Sequence, residues 1–321
     1  MKRVIFSLIL VALALTACQP APNVNDTIPP YIDTGIDSNA WVTIPAGKFP
    51  EGQENVITML NHDYEIMVTD VTVEQYTKFL NEAVANGDAK IGEFEVVVAN
   101  GERTWTEEGV AGYYPGDPFD GYKHEEEITP GDKLYISFVE GLRITRDGDT
   151  FSAMPEFANH PMTMVSWYGA NAYCEYYGYR LPLNEEWEKA ARGTEFEGKD
   201  AYPFPWGYEI EPNNANYYAS GDLFEQLFGK LGSTNPVGFY NGNTYEVDGI
   251  TYETLDGASP YGLYDMAGNV WQWTGDDYPD QHYRVMRGGS FYTYEVDLRI
   301  WKENDAGPQH YAPEVGFRCA K

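Results

Sequence analysis

The sequence predicts an α+β fold with few short helices, short strands and much coil. Three segments, around residues 72–83, 166–177 and 184–192, repeat apolar residues at helical spacing. The stretch from 194 to 321 is rich in Gly, Pro, Asn, Asp and Tyr and has almost no helical period. In chain order, "WVTIPAGKFPEG" from Trp41 onward has the Pro and Gly punctuation of a strand ending in a turn. "TVEQYTKFLNEA" opens with Thr72 at an N-cap position and Gln75 three residues on, then sets Tyr76, Phe79 and Leu80 on one helical face. Residues 88–157, with "KLYISFVEGLRITRDGDTFSAM", predict an elaboration of loops and hairpins broken by glycines and an "RDGD" turn. "SWYGANAYCEYYGYRLP" predicts a second helix capped by Ser166, carrying Trp167, Ala170, Tyr173, Cys174 and Tyr177, and stopped by Gly178. "NEEWEKAARG" starts a third at Asn184, with Glu185 and Glu186 where the helix dipole favours acids, and ends at Gly193.

The 321 residues, 43% hydrophobic and 15% aromatic, suffice for a buried core. No fixed-period repeat or second linker divides 41–321, so a single domain is expected. With 50 acidic against 21 basic residues the formal charge is -29, and no cluster of Lys and Arg offsets it; a nucleic-acid partner is therefore not expected. The acidity reads as a solubilising surface, with cation binding or an acidic partner-facing patch as alternatives. Residues 1–17, "MKR" followed by a short apolar run, have the form of a signal peptide. The run ends in "LTAC", which resembles the lipobox of bacterial lipoproteins and implies a lipidated Cys18; an ordinary secretory signal is the alternative. Residues 18–40 then read as the lipidated cysteine and a tether of about 20 residues. Contact with the membrane is expected through the lipid anchor alone. Gln19 in place of an aspartate favours the outer membrane of a bacterial cell envelope.

"TVEQYTKFL", "HPMTMVSWYGANAYCEYYGYRLPLNEEWEKAARG", "YPFPWG", "YGLYDMAGNVWQWT", "RVMRGGSF" and "GFRCA" resemble, in order, the landmarks of the formylglycine-generating enzyme family, the sulfatase-modifying factor proteins. The match spans about 41 to 321, with 88–157 outside it. The resemblance implies a C-type-lectin-like domain with little regular secondary structure. It implies a disulfide between Cys174 and Cys319, two unpaired buried thiols being the alternative. In the family, two cysteines hold copper and oxidise a sulfatase cysteine to formylglycine. Aligned on "GGSF", their positions hold Thr293 and Leu298, neither of which offers the soft thiolate that Cu(I) prefers. Copper is therefore not expected, and no catalytic residue is assigned.

Related branches use non-heme iron held by histidines and carboxylates, but His62, His124, His160, His282 and His310 show no ligand spacing along the chain. His160, in "NHPMTMVSW", reads as a packing residue at a helix entry, and Ser290 as a turn serine, since no nucleophile elbow surrounds it. "DMAGNVWQWTGDDY" resembles the family's calcium segment. By resemblance the ligands are Asp265, Gly268, Val270 and Gln272, the last a glutamate in the family, and a second site starts at Asn216 and Tyr217. A metal-free structural loop is the alternative. The family's peptide groove maps near Trp271, Ser290, Tyr292, Thr293, Tyr294 and Trp301, although aromatic residues at such spacing also serve as core. The whole reads as a non-catalytic binding or assembly module for a peptide, protein or glycan, with a metal-dependent oxidoreductase using a non-cysteine site as the alternative.

Overall fold

A computed structural model describes residues 30–98, 103–117, 128–194, 201–218, 220–223, 233–247, 249–277 and 283–321. Residues 1–17, expected to be a signal peptide, and Cys18, His124 and His282 lie outside the described residues. The N-terminal part forms β1 (Trp41–Ile44), β2 (Gly47–Glu51), β3 (Val56–Leu60) and β4 (Tyr64–Met67), then α1 (Val73–Asn86). Next come β5 (Ala89–Val98), β6 (Arg103–Tyr114), β7 (Gly131–Ser137), β8 (Ile144–Asp147) and β9 (Thr150–Ala153). Then α2 (Trp167–Tyr176) and α3 (Asn184–Arg192) precede β10 (Thr244–Val247), β11 (Ile250–Glu253), β12 (Trp271–Asp277), β13 (Arg284–Arg287), β14 (Glu303–Ala306) and β15 (Val315–Phe317).

The helix ends follow from local chemistry. At α1 the Thr72 hydroxyl accepts from Gln75 N while the Gln75 side chain accepts from Thr72 N, satisfying two of the donors a helix start leaves open. Gly87, at φ 81°, closes its other end. Ser166 caps α2 by accepting from Gly169 N at 3.1 Å. α3 is stapled by Glu186, whose carboxylate accepts from Leu183 N at 2.8 Å.

Strands pair in small sheets. β14, β13, β12 and β15 form a four-stranded sheet in that order, with β15 running parallel to β12. The elaboration is more regular than the loops and hairpins expected. β5, β6 and β7 form a continuous antiparallel sheet, followed by the β8–β9 hairpin across Asp147 and Thr150. The reason lies in packing: Ala89, Val110, Tyr135 and Ile136 turn one face of that sheet into the main core. There they meet the inner faces of α1 and α2. Tyr76 stacks on Tyr173 with ring centroids 5.8 Å apart, and Phe79 meets Tyr173 edge-on at 5.5 Å. Full burial of each such ring stabilises by roughly 2 to 3 kcal/mol. Cys174 of α2 is bonded to Cys319 just past β15, and both are fully buried in this core. A second core, with Phe49, Trp187 and Ile300, lies between α3, the N-terminal strands and the start of the last sheet. Among the described residues no helix is long and apolar enough to cross a membrane.

Candidate functional site

The loop before β12 is held in an unusual shape. Asp265 and Asn269 have φ of 59° and 65°, a region L residues rarely adopt and Asn and Asp tolerate best. Gly268 between them has φ 82°, and a Cβ there would stand 2.4 Å from the Asn216 carbonyl oxygen, so only glycine fits. Asn269 is the hub. Its main-chain N donates to Asn216 O at 2.8 Å, its side-chain oxygen accepts from Asn235 N at 2.9 Å, and its amide donates to Asn235 O at 3.2 Å. The Asn216 amide in turn donates to Ser233 O at 2.7 Å and Asn235 Oδ1 at 3.1 Å. Three asparagines thus tie three coil segments together, and only Asn216 was singled out by sequence.

Gln272 occupies the centre. Its Oε1 accepts from Trp187 Nε1 at 2.7 Å and from Arg318 Nε at 2.8 Å, while its Nε2 donates to Asp265 O at 2.5 Å. Arg318 is fully buried; it donates to the carbonyls of Met67, Val68 and Tyr264 and pairs with Asp70 at 3.2 Å. Asp265 accepts from Gly238 N at 2.7 Å, and burial pushes its carboxyl up to about 6.

Calcium takes about six to eight oxygens, and this donor set does not fit the one the resemblance implies. Both lone pairs of Gln272 Oε1 are used, one by a guanidinium that would repel a second cation, so Gln272 is not a ligand here. Asp265 Oδ1 and the carbonyls of Gly268 and Val270 remain. At the other implied site, the Asn216 amide faces acceptors and the Tyr217 carbonyl accepts from Ser220 N at 2.9 Å.

The positions that the resemblance aligns with the copper thiols are also accounted for. Leu298 is fully buried in an apolar cluster with Phe204, Ala215, Tyr217 and Ala267. Gly289, at φ 72°, makes room for it, since a Cβ there would lie 2.8 Å from Leu298 Cδ1. Thr293 Oγ1 donates to Ser290 O at 3.0 Å and accepts from Ser290 N at 2.9 Å, closing a tight turn. Copper does not fit this pair, because one of the two residues is a hydrocarbon and the other a locally bonded hydroxyl.

The expected groove is only partly assembled. Trp271 and Ser290 do not line it: Trp271 is buried in the main core and Ser290 is fully buried beneath the turn, because each points inward from its strand or loop. Trp301 is half-buried, its ring facing the Arg192 guanidinium at 5.3 Å and that of Arg299 at 5.9 Å. Tyr292 and Tyr294 are exposed. Tyr218, unweighed in the sequence reading, joins them. Its N donates to Thr293 O at 2.9 Å and its ring lies 4.9 Å from that of Tyr294.

The described histidines stay apart. His62 pairs with Glu186 at 2.8 Å, and His310 lies edge-on to Trp273. No group of three or more His, Cys, Asp or Glu side chains placed to hold a metal occurs among the described residues. His160 is fully buried, 2.9 Å from Thr234 Oγ1 and edge-on to Phe157. Burial, with the Arg143 guanidinium nearby, holds its imidazole well below the usual range. A depressed folded-state value means that the unfolded chain binds the proton first, so His160 favours the fold above about pH 6.5 and that contribution is lost as pH falls. The slope from this one group is about 1.4 kcal/mol per pH unit. In urea titrations between pH 7 and 5, His160→Asn is expected to lose that part of the pH dependence. Parallel wild-type and variant profiles would refute the assignment.

Residues 33–321 match the sulfatase-modifying factor enzyme 1-like domain. The chain belongs to the formylglycine-generating enzyme family. It is 29% identical to the mouse formylglycine-generating enzyme over 301 residues, covering 87% of this chain and 74% of that protein. It is 34% identical over 180 residues to the bovine inactive C-alpha-formylglycine-generating enzyme 2, covering 53% of this chain and 52% of the other. A third relative is the Chlamydia pneumoniae serine/threonine-protein kinase pkn1, 34% identical over 210 residues, which are 59% of this chain and 29% of that protein. The chain thus spans under a third of that kinase and about half of the bovine protein. Among solved structures, PvdO from Pseudomonas aeruginosa has the same fold, with a TM-score of 0.50 at 19% identity over 87% of this chain and 93% of its own.

Proposed function

We propose that the protein is a lipid-anchored, extracytoplasmic binding module in which the oxidase centre of the family has been converted to packed core. The observation that carries this reading is Leu298, fully buried among apolar side chains, at the position that the resemblance aligns with a copper thiolate. Formylglycine formation oxidises a substrate thiol to an aldehyde at the expense of oxygen, and the metal site for that step needs two thiolates close to the substrate. A leucine in a closed apolar cluster cannot supply one by a change of rotamer. The name of the bovine relative, an inactive member, agrees with a family that retains the domain without the chemistry.

In place of chemistry the same face offers Tyr218, Tyr292 and Tyr294, exposed rings with hydroxyls that suit a peptide or glycan. The "LTAC" segment supports attachment through Cys18, and Gln19 supports the outer membrane. Calcium has no step in this reading.

Incubated with copper, oxygen and a peptide containing Cys-x-Pro-x-Arg, the protein is expected to leave the peptide mass unchanged. Conversion of the peptide thiol to an aldehyde faster than with copper alone would overturn the reading. The Thr293→Cys, Leu298→Cys double variant tests the inheritance: gain of Cu(I) binding absent from the parent supports an emptied oxidase site.

A further inference from the structure

Between α1, α2 and the β5–β7 sheet lies a cavity of about 250 Å³, remote in sequence from the family's groove segment. Tyr135 and Tyr168 form its buried floor, with Tyr114 and Tyr176 as walls. At the mouth stand exposed Tyr113 and two exposed carboxylates, Asp88 just past α1 and Glu175 near the end of α2. Four of the eleven lining residues, Asp88, Tyr113, Tyr114 and Tyr135, come from the elaboration at 88–157, outside the motifs that define the family. The close approach is built in: a Cβ at residue 112 would lie 2.1 Å from the Tyr135 hydroxyl, so glycine at that point of β6 lets the ring sit beneath the strand.

Asp88 and Glu175 have no Lys, Arg or His within ion-pair distance among the described residues, whereas Asp132 nearby is paired with Lys90 at 2.9 Å. We propose that this cavity is a binding site for an alkylammonium group, held by the tyrosine rings and the Asp88 and Glu175 carboxylates. The face of a phenol ring is electron-rich and attracts a cation that has shed water, and two unpaired carboxylates beside the rings supply the countercharge. An anion is disfavoured by the same carboxylates. The Tyr135 hydroxyl is pushed up chiefly by burial and further by the Glu175, Asp132 and Asp88 carboxylates, while Tyr168 on the same floor also feels the Arg284 guanidinium. A chain with formal charge -29 further concentrates cations near its surface. The inference is independent of the reading of Thr293 and Leu298.

Calorimetric titration of the full-length protein tests it with three probes. Choline represents a quaternary headgroup, n-butylammonium a lysine side chain, and neohexanol is the uncharged carbon isostere of choline. Saturable binding of choline or n-butylammonium is expected, with neohexanol weaker by at least about tenfold; whichever cation binds tighter identifies the natural source. Glu175→Gln and Asp88→Asn, both at exposed positions, should each weaken the cation about fivefold without shifting the melting temperature. Equal affinity for neohexanol, wild-type affinity in the Asp88→Asn, Glu175→Gln double variant, or no saturation by either cation up to about 50 mM would each overturn the proposal.

Discussion

Replacing Cys174 and Cys319 together by alanine is expected to lower the unfolding free energy by about 5 kcal/mol. The bond closes a loop between positions 145 residues apart, and in the chain-entropy relation a crosslink of that span removes about this much freedom from the unfolded chain. Both sulfurs lie inside the main core, so alanine, unlike serine, leaves no buried hydroxyl to satisfy. The bond also has a local task. It fixes the chain just past β15 to α2, and β15 is the parallel partner of β12 through Trp271, Gln272 and Trp273. Without it the final strand keeps its three pairs with β12, main-chain bonds such as Val71 N to Phe317 O at 2.9 Å, the Arg318 contacts, and Phe317 packing against Tyr76 and Tyr173 at centroid distances of 6.0 and 5.4 Å. Urea denaturation of the wild type with and without reductant, alongside the double alanine variant, measures the loss. Reductant and mutation should agree. A loss under about 1 kcal/mol from both would mean that the unfolded chain is already compact enough for the crosslink to remove little freedom.

What the sequence made legible is what local chemistry decides. Thr72 with Gln75, and Ser166 ahead of Trp167, cap their helices through contacts three residues apart, so the signal needs no tertiary knowledge. The turn between β8 and β9 was legible for the same reason. Facing is another matter. Trp271 and Tyr292 both read as groove candidates, yet one is buried and the other exposed, because strand register and the turn at Ser290 set their directions. The long-range polar contacts were invisible. "GFRCA" drew notice for its cysteine, while Arg318 beside it is the residue that links Gln272, Asp70 and three main-chain carbonyls. A glutamine in place of the family's glutamate looked like a weakened calcium ligand. Its true surroundings, an indole and a guanidinium sharing one oxygen, come from residues 85 positions upstream and 46 downstream.

The other large effect expected is at Glu188, where alanine should cost about 3 to 5 kcal/mol. Glu188 sits on α3 and is almost completely buried. Its Oε1 accepts from Arg192 Nη2 at 2.7 Å and from Gly52 N at 2.7 Å, and its Oε2 pairs with Arg287 Nη2 at 3.1 Å. Three parts of the fold meet there: α3, the turn between β2 and β3 at Gly52, and β13. Arg192 reinforces the turn through Asn55 Oδ1 at 2.8 Å and Gly52 O at 3.1 Å. The isolated worth of such a cluster is small, since desolvating three charges offsets most of their attraction. Removing the acid alone is different. Alanine leaves Arg192 and Arg287 facing each other, 1% and 2% exposed, with the peripheral Glu303, 3.0 Å from Arg287, and the more distant Glu51 near Arg192 to compensate in part. Glu188→Gln keeps an acceptor for Gly52 and the shape of the side chain, so it should cost less than Glu188→Ala while still losing the charge. The ordering separates charge from packing: if Gln and Ala variants unfold at the same urea concentration, the countercharge is the dominant contribution, and if Gln matches the wild type, shape and hydrogen bonding are. A Glu188→Ala variant as stable as the wild type would show that water reaches the two guanidinia and that this cluster does not hold the hairpin to α3.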